Sequence, residues 1–177
     1  MEDKGLFYLE GTPDMQNWPP DLIRMITEAQ RIAMLGTYEF DIASGHWSSS
    51  EVLNEIFGID PTYERTLDSW ARIIHPDWRE TMVEYVSGEV IARNRAFDRE
   101  YPIVRVRDGR KRWVHGRGKL MIGASGNPER LIGTITDITN RKQKELDRLN
   151  EQGRAERQRN AIAALATSSA IAAGDLA

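Results

Sequence analysis

The chain has no cysteine among its 177 residues, which excludes disulfides, thiolate metal sites, iron–sulfur clusters and thiol nucleophiles. Photochemistry that ends in a covalent flavin–cysteinyl adduct is excluded on the same ground. Histidine is scarce too: His46, His75 and His115 show no i, i+4 pairing of the kind that grips a metal from one helix, so no metal site is expected. Charge of one sign is missing, since 24 basic against 27 acidic side chains leave −3, and such a chain offers no field for a nucleic-acid backbone or an anionic membrane. No apolar run approaches the roughly 20 residues that span a bilayer, and residues 1–22 carry acids and prolines where a leader would carry a basic start and an apolar stretch. There is no Gly-x-Ser-x-Gly, phosphate-cradling loop or dinucleotide fingerprint. Asp98 and Glu100 share a strand parity but precede Pro102 and read as solvated, so nothing points to paired acid–base catalysis. A cytoplasmic, non-enzymatic segment is the expectation. What is present is enough apolar material for a core: 40% of the residues, about 71 side chains, at about 2 kcal/mol for each one fully buried.

Residues 1–20 mix glycines and prolines with scattered aromatics and read as an arm or linker. From Asp21, a plausible N-cap after Pro20, a helical stripe runs through Leu22, Ile23, Ile26, Ala29 and Ala33. Residues 34–42 then alternate, placing Gly36, Tyr38, Phe40 and Ile42 on one side, as in a half-buried strand. Ser44-Gly45 supplies a turn to a second strand at 46–49. Ser48-x-x-Glu51 has the capping-box pattern for a short helix that buries Val52, Leu53, Ile56 and Phe57 and ends at Gly58. A further short helix around Leu67, Trp70, Ala71 and Ile74 is cut off at His75-Pro76, because a residue before proline avoids the helical region. Asp77-x-x-Glu80 repeats the capping pattern loosely, ahead of a longer helix that buries Met82, Val83, Val86, Val90 and Ile91.

Three extended stretches follow at 97–107, 111–123 and 129–139, joined by Asp108-Gly109 and by a turn over 123–128. Pro102 places the first of them at a sheet edge, where a missing N–H is tolerated. In the second, Val114, Gly116, Gly118, Leu120 and Ile122 share the apolar parity. Beyond Asn140 the charges alternate, with Leu146 and Leu149 as the apolar pair, and a heptad extended from them meets Gly153, Glu156 and Asn160, so a coiled-coil seam ends near Gln152. A fresh apolar stripe, Ile162, Leu165, Ala166, Ser169, Ala170 and Ala173, then runs to Gly174. The expected division is an arm at 1–20, a domain with its leading helix at 21–142, a charged helix at 143–158, and at 159–177 an amphipathic helix that opens a truncated further domain.

The order of these elements, and the residues themselves, resemble the PAS domain with its PAC extension. Gly36-Thr-Tyr-Glu-Phe-Asp41 with Trp47-Ser48 resembles its opening strands, and His75-Pro76-Asp77-x-Arg79 resembles its mid-domain helix start. Glu100-Tyr101, Asp108-Gly109, Arg112-Trp113-Val114, Gly126-Asn-Pro128, Gly133-Thr134 and Asp137-Ile138-Thr139-x-Arg141-Lys142 follow the PAC pattern in order, and the resemblance spans residues 29–142. Pro102 departs from it where a basic residue is usual, and Trp78 where a second acid is. Residues 160–176 are similar to the first helix of a GAF domain.

The resemblance implies an α+β fold: a five-stranded antiparallel sheet with short helices on one face, flanked by N- and C-terminal helices, with a small pocket between sheet and helices. Tyr38, Phe40, Ile56, Trp70, Ile74, Met82, Val86, Val114 and Leu120 are the candidate lining. Gly116 and Gly118 remove side-chain volume there, either to admit a ligand or to let helices pack closely. Asp137, Thr139 and Arg141 stand where the last strand becomes the exit helix and are the candidate relay, Asp137 or Thr139 capping free amides and Arg141 or Lys142 answering the carboxylate. Three functions remain open. One is a sensory input module of a multidomain signalling protein, with a histidine kinase or cyclic-dinucleotide enzyme as its downstream output, that binds a small molecule. The second is a ligand-free relay that homodimerises through its flanking helices, and the third a noncovalent flavin redox sensor drawing on Trp47, Trp70 or Trp113. A stand-alone small enzyme is a more distant alternative. Haem is disfavoured, because family members that bind it present a histidine from a helix beside the pocket, whereas His46 and His115 fall on strands and His75 on a helix boundary. No cofactor is the default expectation.

Overall fold

The computed structural model describes the backbone of residues 19–174 and the side chains of residues 19–162. Of the arm expected at 1–20, residues 1–18 lie outside the described residues and Pro20 opens a helix; of the apolar stripe, the side chains beyond Ile162 lie outside them. In chain order the elements are helix α1 (Pro20–Ile32), strands β1 (Leu35–Asp41) and β2 (His46–Ser49), and helices α2 (Glu51–Phe57), α3 (Leu67–Ile73) and α4 (Pro76–Glu84). A π-helical stretch (Tyr85–Ile91), strands β3 (Phe97–Val104), β4 (Lys111–Ile122) and β5 (Pro128–Asp137), and helix α5 (Thr139–Gly174) follow. All strand pairs are antiparallel, and the sheet order β2-β1-β5-β4-β3 puts the last strand in the middle. The chain forms two units, one ending at Ile138 and one beginning at Thr139. The second is a single helix that continues through Gly153, so the charged and amphipathic segments separated in the sequence belong to one helix.

Local chemistry explains where each helix starts. At α1, Pro20 takes the first helical position, where its missing N–H costs nothing, and Asp21 becomes a first-turn acid and not the expected cap. Ser48 does not cap α2: it and Ser49 are still in β2, paired with Glu39 and Tyr38, and the cap is Ser50. The Ser50 hydroxyl oxygen accepts from Leu53 N at 3.3 Å and from Thr37 N at 3.0 Å, so one side chain starts the helix and ties it to β1. Where β1 and α2 meet, a side chain at Gly36 would lie 2.7 Å from Leu53 Cα, so glycine sets how closely they pack. Helix α3 opens with a reciprocal Thr66–Ser69 capping box, in which a serine takes the place of the usual Glu or Gln of the sequence pattern.

The His75-Pro76-Asp77-x-Arg79 run resolves into separate physical tasks. His75, not Asp77, is the cap of α4, its ring accepting from Asp77 N at 3.4 Å, while Pro76 occupies the first helical position. Arg79 reaches back to the end of α3 and donates to the carbonyls of Ala71 (2.8 Å), Arg72 (3.2 Å) and Ile74 (3.3 Å). These are the orphan carbonyls every helix leaves at its end. Arg79→Ala is expected to lower stability by about 1–2 kcal/mol, read as an earlier urea midpoint with an unchanged slope.

The helix expected to continue regularly to Ile91 widens at Tyr85 into π geometry, with the Ser87 hydroxyl donating back to the Val83 carbonyl at 2.9 Å. Edge strand β3 is covered: His75 N donates to the Pro102 carbonyl at 3.0 Å and Ile74 bridges Ile103. On β4 the apolar face ends one residue early. A register shift between Met121 and Ile122 leaves Ile122 exposed. The core lies between the sheet and helices α2 to α4, and includes Ile56, Ile73, Ile74, Met82, Val114, Leu120 and Ile135.

Candidate functional site

A cavity of about 50 Å³ sits inside this core. Strand β1 contributes Tyr38 and Phe40 to its wall, β2 Trp47, and β5 Leu131 and Ile135. The helical side brings Leu53 and Phe57 from α2, Leu67 and Trp70 from α3, and Val86 from the π-helical stretch, and β3 closes it with Phe97 and Tyr101. Its composition is a direct result of strand alternation, because residues two apart on β1, β3 and β5 face the same way.

Of the eleven candidate pocket residues, Tyr38, Phe40, Trp70 and Val86 line the cavity. Ile56, Ile74, Met82, Val114 and Leu120 are buried in the surrounding core and are not part of its wall. At Gly116 and Gly118 the nearest atoms to an added side chain belong to the neighbouring strands. A side chain added at Gly116 would collide with the Phe97 ring and come within 3.0 Å of Ile135 Cδ1. One at Gly118 would collide with the Tyr38 hydroxyl and come within 3.1 Å of Leu131 Cδ1. The vacated volume is already filled by aromatic side chains of the same sheet, and both of those rings belong to the cavity wall.

The register makes this a row. Tyr38 of β1 is opposite Gly133 of β5, Gly133 is opposite Gly118 of β4, and Gly118 is opposite Phe97 of β3. The Tyr38 ring lies over the two central glycines, and its hydroxyl reaches the Arg117 carbonyl at 3.4 Å. Cross-strand aromatic cover over glycine is the same device that shields backbone in other sheets. Burial pushes the Tyr38 phenol well above its usual pKa and does the same to Tyr101, so both stay protonated.

Trp47, named above for the flavin reading and not as lining, joins the wall, and Leu53, Phe57, Leu67, Phe97, Tyr101, Leu131 and Ile135 were missed in the sequence. For β3 the signal was there: Phe97 and Tyr101 share a parity, opposite to that of Asp98 and Glu100. The acids and Pro102 obscured it. On β5, Leu131, Gly133 and Ile135 alternate with Ile132 and Thr134, and counting back from Asp137 would have separated them.

On the other parity of β4, His115 Nε2 and Asp98 Oδ1 are 2.6 Å apart, and this hydrogen bond is the main reason the Asp98 carboxyl is held below the usual aspartate range. Trp113 packs edge to face with Trp78, rings 5.6 Å apart, and is not part of the cavity wall. Among the described residues no three metal-ligating side chains cluster, and no helix is long and apolar enough to cross a membrane.

At the strand exit, Arg112 Nη1 donates to Asp137 Oδ2 at 2.7 Å, and Ile138 N donates to the Trp113 carbonyl at 2.8 Å. Asp137 is the last residue of β5 and Thr139 the first of α5, with Arg141 in that helix's first turn.

Comparison with known proteins agrees with this architecture. The family model described as the PAS fold matches residues 46–135. A blue-light-activated histidine kinase of Brucella anthropi is 31% identical over 128 residues, which cover 72% of this chain. They cover 24% of the kinase, so the chain spans about a quarter of the length of that curated relative. The structure of a sensory box histidine kinase/response regulator from Burkholderia thailandensis E264 superposes with a TM-score of 0.60 at 25% identity, covering 75% of this chain and 98% of that one. The N-terminal domain of a diguanylate cyclase with PAS/PAC sensor from Marinobacter aquaeolei gives 0.57 at 18% identity, over 61% and 98% of the two chains.

Proposed function

The chain belongs to the PAS fold family, and we propose that it is the sensory input and relay module of a larger signalling protein whose output domain, a histidine kinase in the first instance, lies in the same polypeptide. A small molecule in the cavity is the input, and α5 carries the output. One observation supports this most directly: β5 does both jobs. Its residues Leu131 and Ile135 line the cavity, and its last residue, Asp137, leads through Ile138 into α5. A shift of β5 driven by cavity occupancy is therefore passed along the chain to Thr139 and Arg141 without a side-chain pathway.

A second, ligand-free reading draws on α1, which buries none of its residues and leaves Met25 63% and Ile32 84% exposed. A second copy of this chain is the partner proposed for that face, and the relay then responds to pairing alone. The noncovalent flavin reading needs substantial repacking. A cavity of about 150 Å³, three times the volume found here, accepts a molecule as small as benzene.

The experiment is a small-molecule screen on the 177-residue chain, followed by NMR of the Leu131 and Ile135 methyls and of the amides from Asp137 to Arg141. A compound that saturably shifts the methyls is expected to shift the exit amides with the same midpoint. Methyl shifts with silent exit amides overturn the relay. Silence throughout, with Ile32→Asp dissociating a dimer seen by light scattering, replaces it with the ligand-free reading.

A further inference from the structure

Resting on the reading of the cavity as a ligand site, the chemistry of its wall narrows what that ligand is. Four wall residues carry a polar side-chain atom, and the fold has placed those atoms against protein. The Tyr38 hydroxyl reaches the Arg117 carbonyl at 3.4 Å, and the Trp47 indole N–H is donated to the Thr66 carbonyl at 2.8 Å. The Tyr101 hydroxyl is wholly buried against the Trp70 side chain, whose ring stands edge-on to its own with centroids 6.2 Å apart. The other eight wall residues are aliphatic or phenylalanine. The surface a guest meets is carbon.

Such a wall selects by what it withholds. A polar atom that enters gives up its hydration and gains no partner, and a charged one fares worse, since no charged side chain lines the cavity among the described residues. Water is disfavoured on the same ground. A buried water needs about three polar partners, and cavities without them stay dry. The lining atoms of an empty apolar cavity lack dispersion partners on one side, so a carbon guest restores those contacts and has no bound water to displace. Volume sets the size. About 50 Å³ is a third of the roughly 150 Å³ that accepts benzene, which by proportion leaves room for about two non-hydrogen atoms without repacking.

We propose that the cavity takes a small apolar molecule with no hydrogen-bonding group, a hydrocarbon of about two carbons, held by contact with Val86 on the helical side and with Leu131 and Ile135 of β5. Selectivity is by exclusion: a polar molecule of the same size stays in water, where it is better solvated. The new contacts fall on the strand that leads into α5, so the guest acts on the element the relay depends on.

Ethane and methanol, which have the same number of non-hydrogen atoms and differ by one hydroxyl, are the probes. They are titrated into the 177-residue chain and into Val86→Leu, which adds a methylene to the wall, with the Leu131 and Ile135 methyls as readout. Two non-hydrogen atoms limit the affinity to about 6 mM or weaker, so ethane is applied under pressure. In the wild-type chain ethane is expected to shift the methyls saturably, and methanol at ten times the concentration to leave them in place. Val86→Leu, folded and melting no lower than wild type, is expected to lose the ethane response because the space is filled. Methanol binding as tightly as ethane, or methanol entering where ethane does not, overturns the inference and leaves the cavity reading intact. So does water in the cavity, seen as cross-peaks to these methyls that persist under ethane. An ethane response unchanged in Val86→Leu places the gas elsewhere and also overturns it. If neither probe enters, the cavity is not a ligand site and the small-molecule input falls with it.

Discussion

Gly133→Ala is expected to destabilise the domain by about 3–4 kcal/mol, moving the melting midpoint down by on the order of 10 °C, and Gly118→Ala by clearly less. Both positions lie in the same cross-strand row under Tyr38, so the difference is one of neighbours and not of burial. A methyl at Gly133 would overlap the Arg117 carbonyl, which is backbone and cannot yield without breaking the β4–β5 ladder, and would sit 2.6 Å from Tyr38 Cζ. At Gly118 the overlap is with the Tyr38 hydroxyl, the far end of a side chain, and Ile132 O is at 3.2 Å. The Tyr38→Phe background separates the two cases. Removing that hydroxyl should recover much of the Gly118→Ala loss and little of the Gly133→Ala loss, both measured by thermal unfolding. Equal recovery at both sites would mean that the aromatic ring, not the backbone, imposes glycine at 133. Because Tyr38 lines the cavity, both variants also report on it: displacing that ring should alter the cavity-facing methyls of Leu131 and Ile135 before the protein melts.

The same row shows what the sequence could and could not reveal. Alternation at Gly36, Tyr38 and Phe40 places the face of β1, Asp108-Gly109 marks a hairpin, and Pro102 assigns β3 to the edge; the sheet contains all three features. These are local or nearest-neighbour facts, written in backbone preference and period. The two glycines of β4 are different. Read along the chain they look like missing volume, but Phe97 and Tyr38 reach them from other strands, at sequence distances that periodicity cannot report. Depth is equally hidden. Ile56 and Met82 share an apolar helix face with true wall residues, Ile74 lies just past the end of α3, and only three-dimensional packing decides which of them meet the cavity. The misplaced caps have a similar origin: Ser48, Ser49 and Ser50 all have the capping chemistry, and the pairing of Ser49 with Tyr38 leaves the task to Ser50. The π geometry over Gly88 leaves no mark on the apolar period, since a widened turn keeps Val86 and Val90 buried as an α-helix would.

Arg112→Met is expected to cost about 2–3 kcal/mol and, more tellingly, to loosen the exit from β5 while leaving the cavity in place. The pair it breaks is shielded, with Arg112 25% and Asp137 15% exposed, and its 2.7 Å hydrogen bond joins β4 to the last residue of β5. Ile138 continues the same seam through its amide on the Trp113 carbonyl. Together these bonds hold the chain on the sheet as far as Ile138, the residue before α5. Without the guanidinium, amide exchange at Ile138 and in the following turn should accelerate by at least tenfold, with Leu131 and Ile135 amides unaffected. Asp137→Asn keeps the shape and removes the charge, so a double-mutant cycle isolates the pair: a coupling of about 1 kcal/mol or more between the two positions identifies a latch. Additive costs, with exchange at Ile138 no faster than in wild type, would show that Arg112 stabilises β4 on its own account and that Asp137 is held for the exit helix by other contacts. In the proposed relay the variant has a distinct signature. A ligand should bind Arg112→Met as tightly as wild type and shift the cavity methyls by the same amount, while the Thr139 and Arg141 amides no longer follow, because a frayed exit absorbs the strand's movement before α5 receives it.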